Sequence, residues 1–129
     1  MSLQQNSAAV AVASAHVEAW SRRDYDAARA ALADDVWVTA IAADPNFPKT
    51  DLKGVDAYMQ GLIQYADGIV PGSTEVVEAI GDDKQALLTV NARVKYGPDA
   101  PEMDAPAARM YVFDEDGKIK IEHVLFFLS

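Results

Sequence analysis

Apolar residues Val10, Ala13, Val17 and Trp20 recur every three or four positions after Asn6 and Ser7, either of which can cap a helix. That spacing places one stripe of an α-helix against a core and predicts a helix to about Ser21, with His16 on the buried stripe. Asp24 can cap a second helix through Leu32 that buries Tyr25, Ala28 and Leu32. Asp34-Asp35 is expected to end it ahead of an apolar strand, Val36 to Ile41. The loop from Ala43 to Thr50 carries Pro45 and Pro48 around Asn46 and Phe47, so proline rather than a hydrogen-bonded ladder orders it. Gly54 opens a third helix whose inner face is Val55, Tyr58, Met59, Leu62 and Tyr65 or Ala66, and Gly68 stops it.

After Pro71-Gly72 the period changes from 3.6 to 2. Glu75 to Ile80, Gln85 to Tyr96, Met103 to Phe113 and Lys118 to Leu128 read as four strands joined by Gly-, Asp- and Pro-bearing turns. Alternation assigns their faces. Leu88, Val90, Ala92, Val94 and Tyr96 are expected to face the helices, as are Met103, Ala105, Ala107, Arg109, Tyr111 and Phe113. The reverse side of that second strand, with Pro106, Ala108, Met110 and Val112, is apolar too and calls for a cover such as a second subunit. In the last strand alternation favours Ile119, Ile121, His123 and Leu125 inward, with Lys120 and Glu122 outside; a bulge after Asp116-Gly117 would exchange the two sets.

Helices first and an antiparallel meander after them make an α+β plan, and 129 residues suit one domain, 1–129. The run ASAHVEAWSRRDYDAARAALADDVWVTA, Ala13 to Ala40, together with Gly54 ahead of the third helix and Asp116-Gly117-Lys118-Ile119 ahead of the last strand, resembles the nuclear transport factor 2-like superfamily. That superfamily includes ketosteroid isomerases, SnoaL-like polyketide cyclases, scytalone dehydratases and limonene epoxide hydrolases. The resemblance implies a cone-shaped fold, three N-terminal helices packed on a strongly curved, mostly antiparallel sheet, with an apolar cavity at the wide end and a homodimer through the convex faces.

Composition removes several functions. A formal charge of -9, with Arg22-Arg23 the one adjacent basic pair, argues against a nucleic-acid partner. The chain has no cysteine, so it holds no disulfide, thiolate nucleophile or sulfur-ligated metal. His16 and His123 lack carboxylates at ligand spacing, and no metal site or cofactor is expected. Val124 to Leu128 is too short to span a bilayer, which takes ~20 residues. Ala13-Ser14-Ala15 mimics a secretory cleavage site, but apolar periodicity runs through it and no Lys or Arg precedes it; a cytoplasmic protein is expected.

The candidate chemistry sits on the inward faces. His16 can serve as a general acid or base, or as a donor to a ligand oxygen, and the competing reading is a satisfied core histidine. The resemblance gives it a place, since it falls where ketosteroid isomerases carry an oxyanion-hole tyrosine. The same comparison puts Ala40 at those enzymes' aspartate base and Arg109 at about their second, protonated aspartate, a carboxylic acid kept neutral by its apolar surroundings. Of the arginine flanked by two carboxylates in epoxide hydrolases, the match retains Arg109 alone. Arg109 can hold a carboxylate, enolate or phenolate bidentately, or form an ion pair with Glu102, Asp104 or Glu122. Tyr111 and Tyr96 can donate hydroxyls or simply fill the core. Tyr58, Met59 and His123 complete the expected ligand-binding set, and Asp44, on the proline loop at the pocket rim, is the carboxylate available to replace the missing base or else a solvated loop acid.

Two functions are compatible with this set. One is a cofactor-free isomerase, cyclase or lyase performing acid/base chemistry on an apolar ketone- or polyketide-like substrate. The other is a non-catalytic binder of a small apolar or anionic organic ligand, or a dimeric accessory domain.

Overall fold

A computed structural model describes residues 4–95 and 97–127. Its elements run α1 (Ala8–Ser21), α2 (Tyr25–Ala30), β1 (Leu32–Ala42), β2 (Thr50–Lys53), α3 (Val55–Ala66), β3 (Glu75–Gly81), β4 (Gln85–Asn91), β5 (Arg93–Val94), β6 (Met103–Asp104), β7 (Ala107–Phe113) and β8 (Ile119–Phe126). Six strands form one sheet in the order β2-β1-β8-β7-β4-β3, and β5 pairs with β6 in a separate ribbon. The sheet is mixed because β1 lies parallel to β8, whereas its other neighbours are antiparallel. The architecture is α+β, with the helices over one sheet face.

Local chemistry explains the helix ends. Ser7 caps α1 by accepting a hydrogen bond from the Val10 N–H, and Asp24 does the same for α2 from Ala27. Between them Arg23 adopts φ 64°, a left-handed conformation that non-glycine residues rarely take. Its guanidinium reaches across to the C-terminus of α3, donating to the carbonyls of Ala66 (2.5 Å) and Ile69 (2.9 Å). Orphan carbonyls at a helix end favour a cation there. One residue thus joins the α1–α2 corner to α3.

Several boundaries differ from those read in the sequence. Helix α2 ends at Ala30 because β pairing starts at Leu32, opposite Ile119, and the Ala31 carbonyl takes the Ile119 N–H. Asp34 and Asp35 therefore lie exposed within β1 instead of closing the helix. The strand expected over Gln85 to Tyr96 divides at Ala92, whose carbonyl accepts from Ala105 N, and the one from Met103 divides at Ala105-Pro106, where proline has no N–H to continue a ladder. Met103, expected inward, is 49% exposed on the short ribbon. Strand β2 was not foreseen; its four residues pair with Trp37 to Ala40.

The inward faces of β4 and β7 follow the alternation. Leu88, Val90, Ala92 and Val94 are buried with Ala105, Tyr111 and Phe113 in a core that includes Val10, Ala13, Val17 and Trp20 of α1. Burying each large apolar side chain contributes roughly 1.5 to 3 kcal/mol. A second, smaller cluster comprises Ala40, Ala107, Val124 and Phe126, with Tyr65 packed against both clusters.

Strand β8 departs from the expected facing. Phe113 pairs with Ile119 and Val112 with Ile121, so Lys120 is an extra residue, a β-bulge. The bulge exchanges the two side-chain sets. Glu122, Val124 and Phe126 face the helices, and His123, expected inward, lies on the opposite face. There its Nδ1 is 2.6 Å from Thr39 Oγ1 and its ring meets Trp37 edge to face.

Candidate functional site

Four elements bring polar side chains together in the interior. His16 enters from the buried stripe of α1, Tyr58 and Tyr65 from the inner face of α3, Arg109 and Tyr111 from β7, and Glu122 from β8. His16 and Glu122 are each 2% exposed and Arg109 is 4% exposed. Glu122 lies opposite Tyr111 in the β7–β8 register, on the face that also carries Arg109.

His16, Tyr58, Glu122, Arg109 and Tyr65 form one hydrogen-bonded chain. His16 Nδ1 lies 3.0 Å from the Ala28 carbonyl and its Nε2 lies 3.0 Å from the Tyr58 hydroxyl. Tyr58 donates to Glu122 Oε1. Arg109 Nη1 donates to Glu122 Oε2 at 3.3 Å, and Nη2 donates to the Tyr65 hydroxyl at 3.1 Å. The guanidinium also lies over the rings of Trp20 (5.2 Å to the centroid) and Tyr65 (5.5 Å).

Proton counting along the chain defines its chemistry. A carbonyl can only accept, so the contact to Ala28 requires the proton on Nδ1. Neutral His16 then presents a bare Nε2 to Tyr58, whose single proton is committed to Glu122. Three contacts, Ala28 to His16, His16 to Tyr58 and Tyr58 to Glu122, need three protons, and a neutral imidazole, a phenol and a carboxylate supply two. A third proton completes the chain either as imidazolium with carboxylate or as imidazole with carboxylic acid. These forms differ only in which way the protons on Tyr58's two contacts lie. His16 and Glu122 are therefore the two ends of a hydrogen-bonded chain with room for one proton.

The surroundings set the charges. Burial lowers the His16 pKa, outweighing Glu122 and the Ala28 hydrogen bond, which raise it. Burial, together with the negative charge of Glu122, pushes the Tyr58 and Tyr111 hydroxyls well above the ordinary phenol range. For Arg109, burial opposes the charge, but the neighbouring tyrosines and Glu122 outweigh it and hold the guanidinium protonated.

Of the residues singled out in the sequence, His16, Tyr58, Arg109 and Tyr111 meet here, and Met59 is buried in the adjoining core. Asp44 lies in the Ala43–Lys49 loop, where its Oδ1 accepts from the Asn46 N–H in a local turn; among the described residues no hydrogen bond links it to the cluster. His123 stands on the other side of the sheet, and Tyr96 is outside the described residues. Glu122, Tyr65 and Trp20 were not assigned to the site. Counting back from Phe126 through Val124 places Glu122 inward, the signal that counting forward from Ile119 missed. Glu122 also supplies Arg109 with one neighbouring carboxylate, which the comparison with epoxide hydrolases had left absent.

A mixed sheet covered by helices on one face, with ionisable residues gathered between them, defines a nuclear transport factor 2-like protein. Within that class the chain belongs to the SnoaL-like domain family, which matches residues 13–121. Solved structures agree on the fold. A protein from Kribbella flavida superimposes with a TM-score of 0.75 at 27% identity, covering 94% of this chain and 88% of that one. RV0760c of Mycobacterium tuberculosis, solved in complex with estradiol-17beta-hemisuccinate, gives 0.74 at 14% identity over 92% of this chain and 93% of its own. A LEH-like epoxide hydrolase from the same organism gives 0.69 at 18% identity, over 92% and 82%. No curated protein matches the sequence. Among the described residues no helix is long and apolar enough to cross a membrane.

Proposed function

We propose that this SnoaL-like chain binds a small organic molecule beside Arg109 and moves protons on it, in the manner of a cofactor-free isomerase, cyclase or lyase. The observation that carries this reading is the buried chain from His16 through Tyr58 to Glu122, short of one proton and abutting a fixed positive charge. A ketone bound there loses a proton from its α-carbon to the His16–Tyr58–Glu122 unit. The C–H electron pair becomes the enolate double bond, and the negative oxygen is held by Arg109 with Tyr111 as a second donor. Return of the proton to another carbon completes an isomerisation. The steroid ester seen in RV0760c supports a pocket for apolar ligands with an acidic end. Asp44 has no part in this scheme.

The test has two stages. A thermal-shift panel of cyclic ketones, enones and aryl carboxylates finds a binder, which at ~100 times its dissociation constant adds about 2.7 kcal/mol of stability. Exchange of the α-protons of the best ketone in deuterated water then reports the chemistry. Glu122→Gln and His16→Gln should each slow exchange by about 100-fold or more. Exchange at the wild-type rate in both variants would remove the catalytic reading.

A second reading, a non-catalytic binder or dimeric accessory domain, is favoured by the burial of His16, Tyr58, Arg109, Tyr111 and Glu122 in an interior that also holds Trp20 and Met59. It predicts ligand binding without exchange. We also infer that the chain pairs with a second copy through the outer sheet face, where Ile41, Leu87, Met110 and Leu125 are exposed around a groove of about 350 Å³.

A further inference from the structure

We propose that Tyr65 is an internal stand-in for the ligand, and that the molecule which displaces it is an aromatic carboxylate. The proposal rests on the reading of Arg109 as the ligand anchor and names what that anchor takes.

The argument begins with the guanidinium. Nη1 is committed to Glu122. The Nε and Nη2 hydrogens on the adjoining edge point side by side, the fork that receives two oxygens at once. Tyr65 offers that edge one oxygen, on Nη2. Nε has no acceptor, and neither has the indole N–H of Trp20, whose ring lies against the guanidinium, although both are buried. Unsatisfied buried donors are rare in native proteins and mark a place where something else supplies acceptors. A carboxylate fills the fork that a phenol half fills.

The ring of Tyr65 identifies the rest of the ligand. It lies edge-on to Trp20 (5.6 Å) and against Phe126 (5.7 Å), which in turn meets Phe47 of the proline loop (5.7 Å). The sheet beneath Phe126 presents small side chains, Ala40 and Ala107 with Ala42 beside them. The space over those alanines is thus occupied by aromatic rings carried on α3 and on the end of β8. Tyr65 is half-buried at the seam of the two apolar clusters, whereas Trp20 and Glu122, which also touch Arg109, are fully buried; of these three it is the one placed to be displaced outward. A flat ring with a carboxylate repeats its contacts and adds the missing oxygen. The added negative charge is balanced by the vacancy for one proton in the neighbouring hydrogen-bonded chain.

Because Tyr65 must first be displaced, the apparent affinity is the intrinsic affinity multiplied by the fraction of molecules in which Tyr65 has left Arg109. Tyr65→Phe keeps the ring and removes the hydroxyl that competes for Nη2. Isothermal titration with 2-naphthoate, with hexanoate and 2-naphthol as controls, should show about tenfold tighter naphthoate binding in Tyr65→Phe than in wild type, since a hydrogen bond to a charged group is lost from the closed form only. Arg109→Met should weaken naphthoate at least tenfold; if it does not fold, replacing Arg109 and Glu122 together by Met removes the ion pair as a unit. Both controls should bind at least tenfold more weakly than naphthoate in the wild-type protein. Equal or weaker naphthoate binding in Tyr65→Phe, with the Arg109 effect intact, overturns the stand-in and leaves the anchor. Hexanoate or 2-naphthol binding as well as naphthoate overturns the aromatic carboxylate. Naphthoate binding that ignores Arg109 overturns both this proposal and the site on which it rests.

Discussion

What His16 can do depends on where its neighbours' protons lie, and its burial has a consequence for stability. Its pKa in the folded protein is below the ordinary 6.5, chiefly through burial. As pH falls, the unfolded chain takes up this proton first, so the associated stability is fully present above 6.5 and is lost as pH drops from there through the folded value. Urea unfolding between pH 7.5 and 5 should show a decline of at most about 1.4 kcal/mol per pH unit from this one group. The slope should flatten in His16→Asn; an unchanged slope would mean that the histidine is not buried in its neutral form. At this scale the sequence was readable where a residue lay on a long regular pattern. His16, Tyr58, Arg109 and Tyr111 all did, on stripes set by three or more apolar neighbours. Glu122 did not, because its facing hangs on one extra residue in the backbone, and the apolar alternation of Ile119 to Leu125 favours the phase that the bulge reverses. Tyr65 was placed on an inner face, but its bond to Arg109 depends on how α3 docks over the sheet, a long-range fact that periodicity does not carry.

Among the elements, the joint between α1 and α2 does more than turn the chain. Arg23 holds a left-handed conformation that costs a non-glycine residue roughly 1 to 2 kcal/mol, while its two hydrogen bonds close the C-terminus of α3. Arg23→Ala keeps the backbone strain and loses the cap, so stability should fall by about 2 to 3 kcal/mol. Arg23→Gly loses the same cap but relieves the strain, and should be the milder change by about 1 kcal/mol. Chemical denaturation of the two variants checks the order; a glycine variant less stable than the alanine one would remove this account of the joint. Elements were legible from the sequence in proportion to their length. The stripes of α1 and α3 and the alternation of β4 and β7 were long enough to override noise. The breaks at Ala92 and Ala105-Pro106, and the short strand β2, arise from pairing between distant segments. Pro106 was visible as a residue, yet its consequence required knowing that Ala105 would turn to bond Ala92.

At the scale of the molecule, the two faces of the sheet differ in what covers them. The helices cover the inner face, and the outer face leaves Ile41, Leu87, Met110 and Leu125 at the surface with His123 among them. A stable interface buries about 800 Å² on each partner, within reach of a patch spread over four strands. If the proposed homodimer forms there, sedimentation at tens of micromolar should give a dimer, and Met110→Asp, placing a charge at its centre, should give a folded monomer. A wild-type monomer at that concentration would remove the proposal. The apolar reverse side of β7 was legible from Ala108, Met110 and Val112, whereas the contribution of β1 and β8 to the same patch followed only from the strand order.

The bulge at Lys120 gives β8 two possible reading frames. In a frame without it, the pairing that begins at Phe113 and Ile119 would continue one residue earlier, setting His123 opposite Arg109 and turning Glu122 into solvent. That arrangement would leave a guanidinium in the interior with an imidazole and no counter-charge, while the surface gained a lone carboxylate. Pairing Glu122 with the buried Arg109 therefore also favours the frame that contains the bulge. Removing Glu122 changes two things at once, and a lineage that altered the chemistry at this position would have to secure the frame of its last strand by some other means.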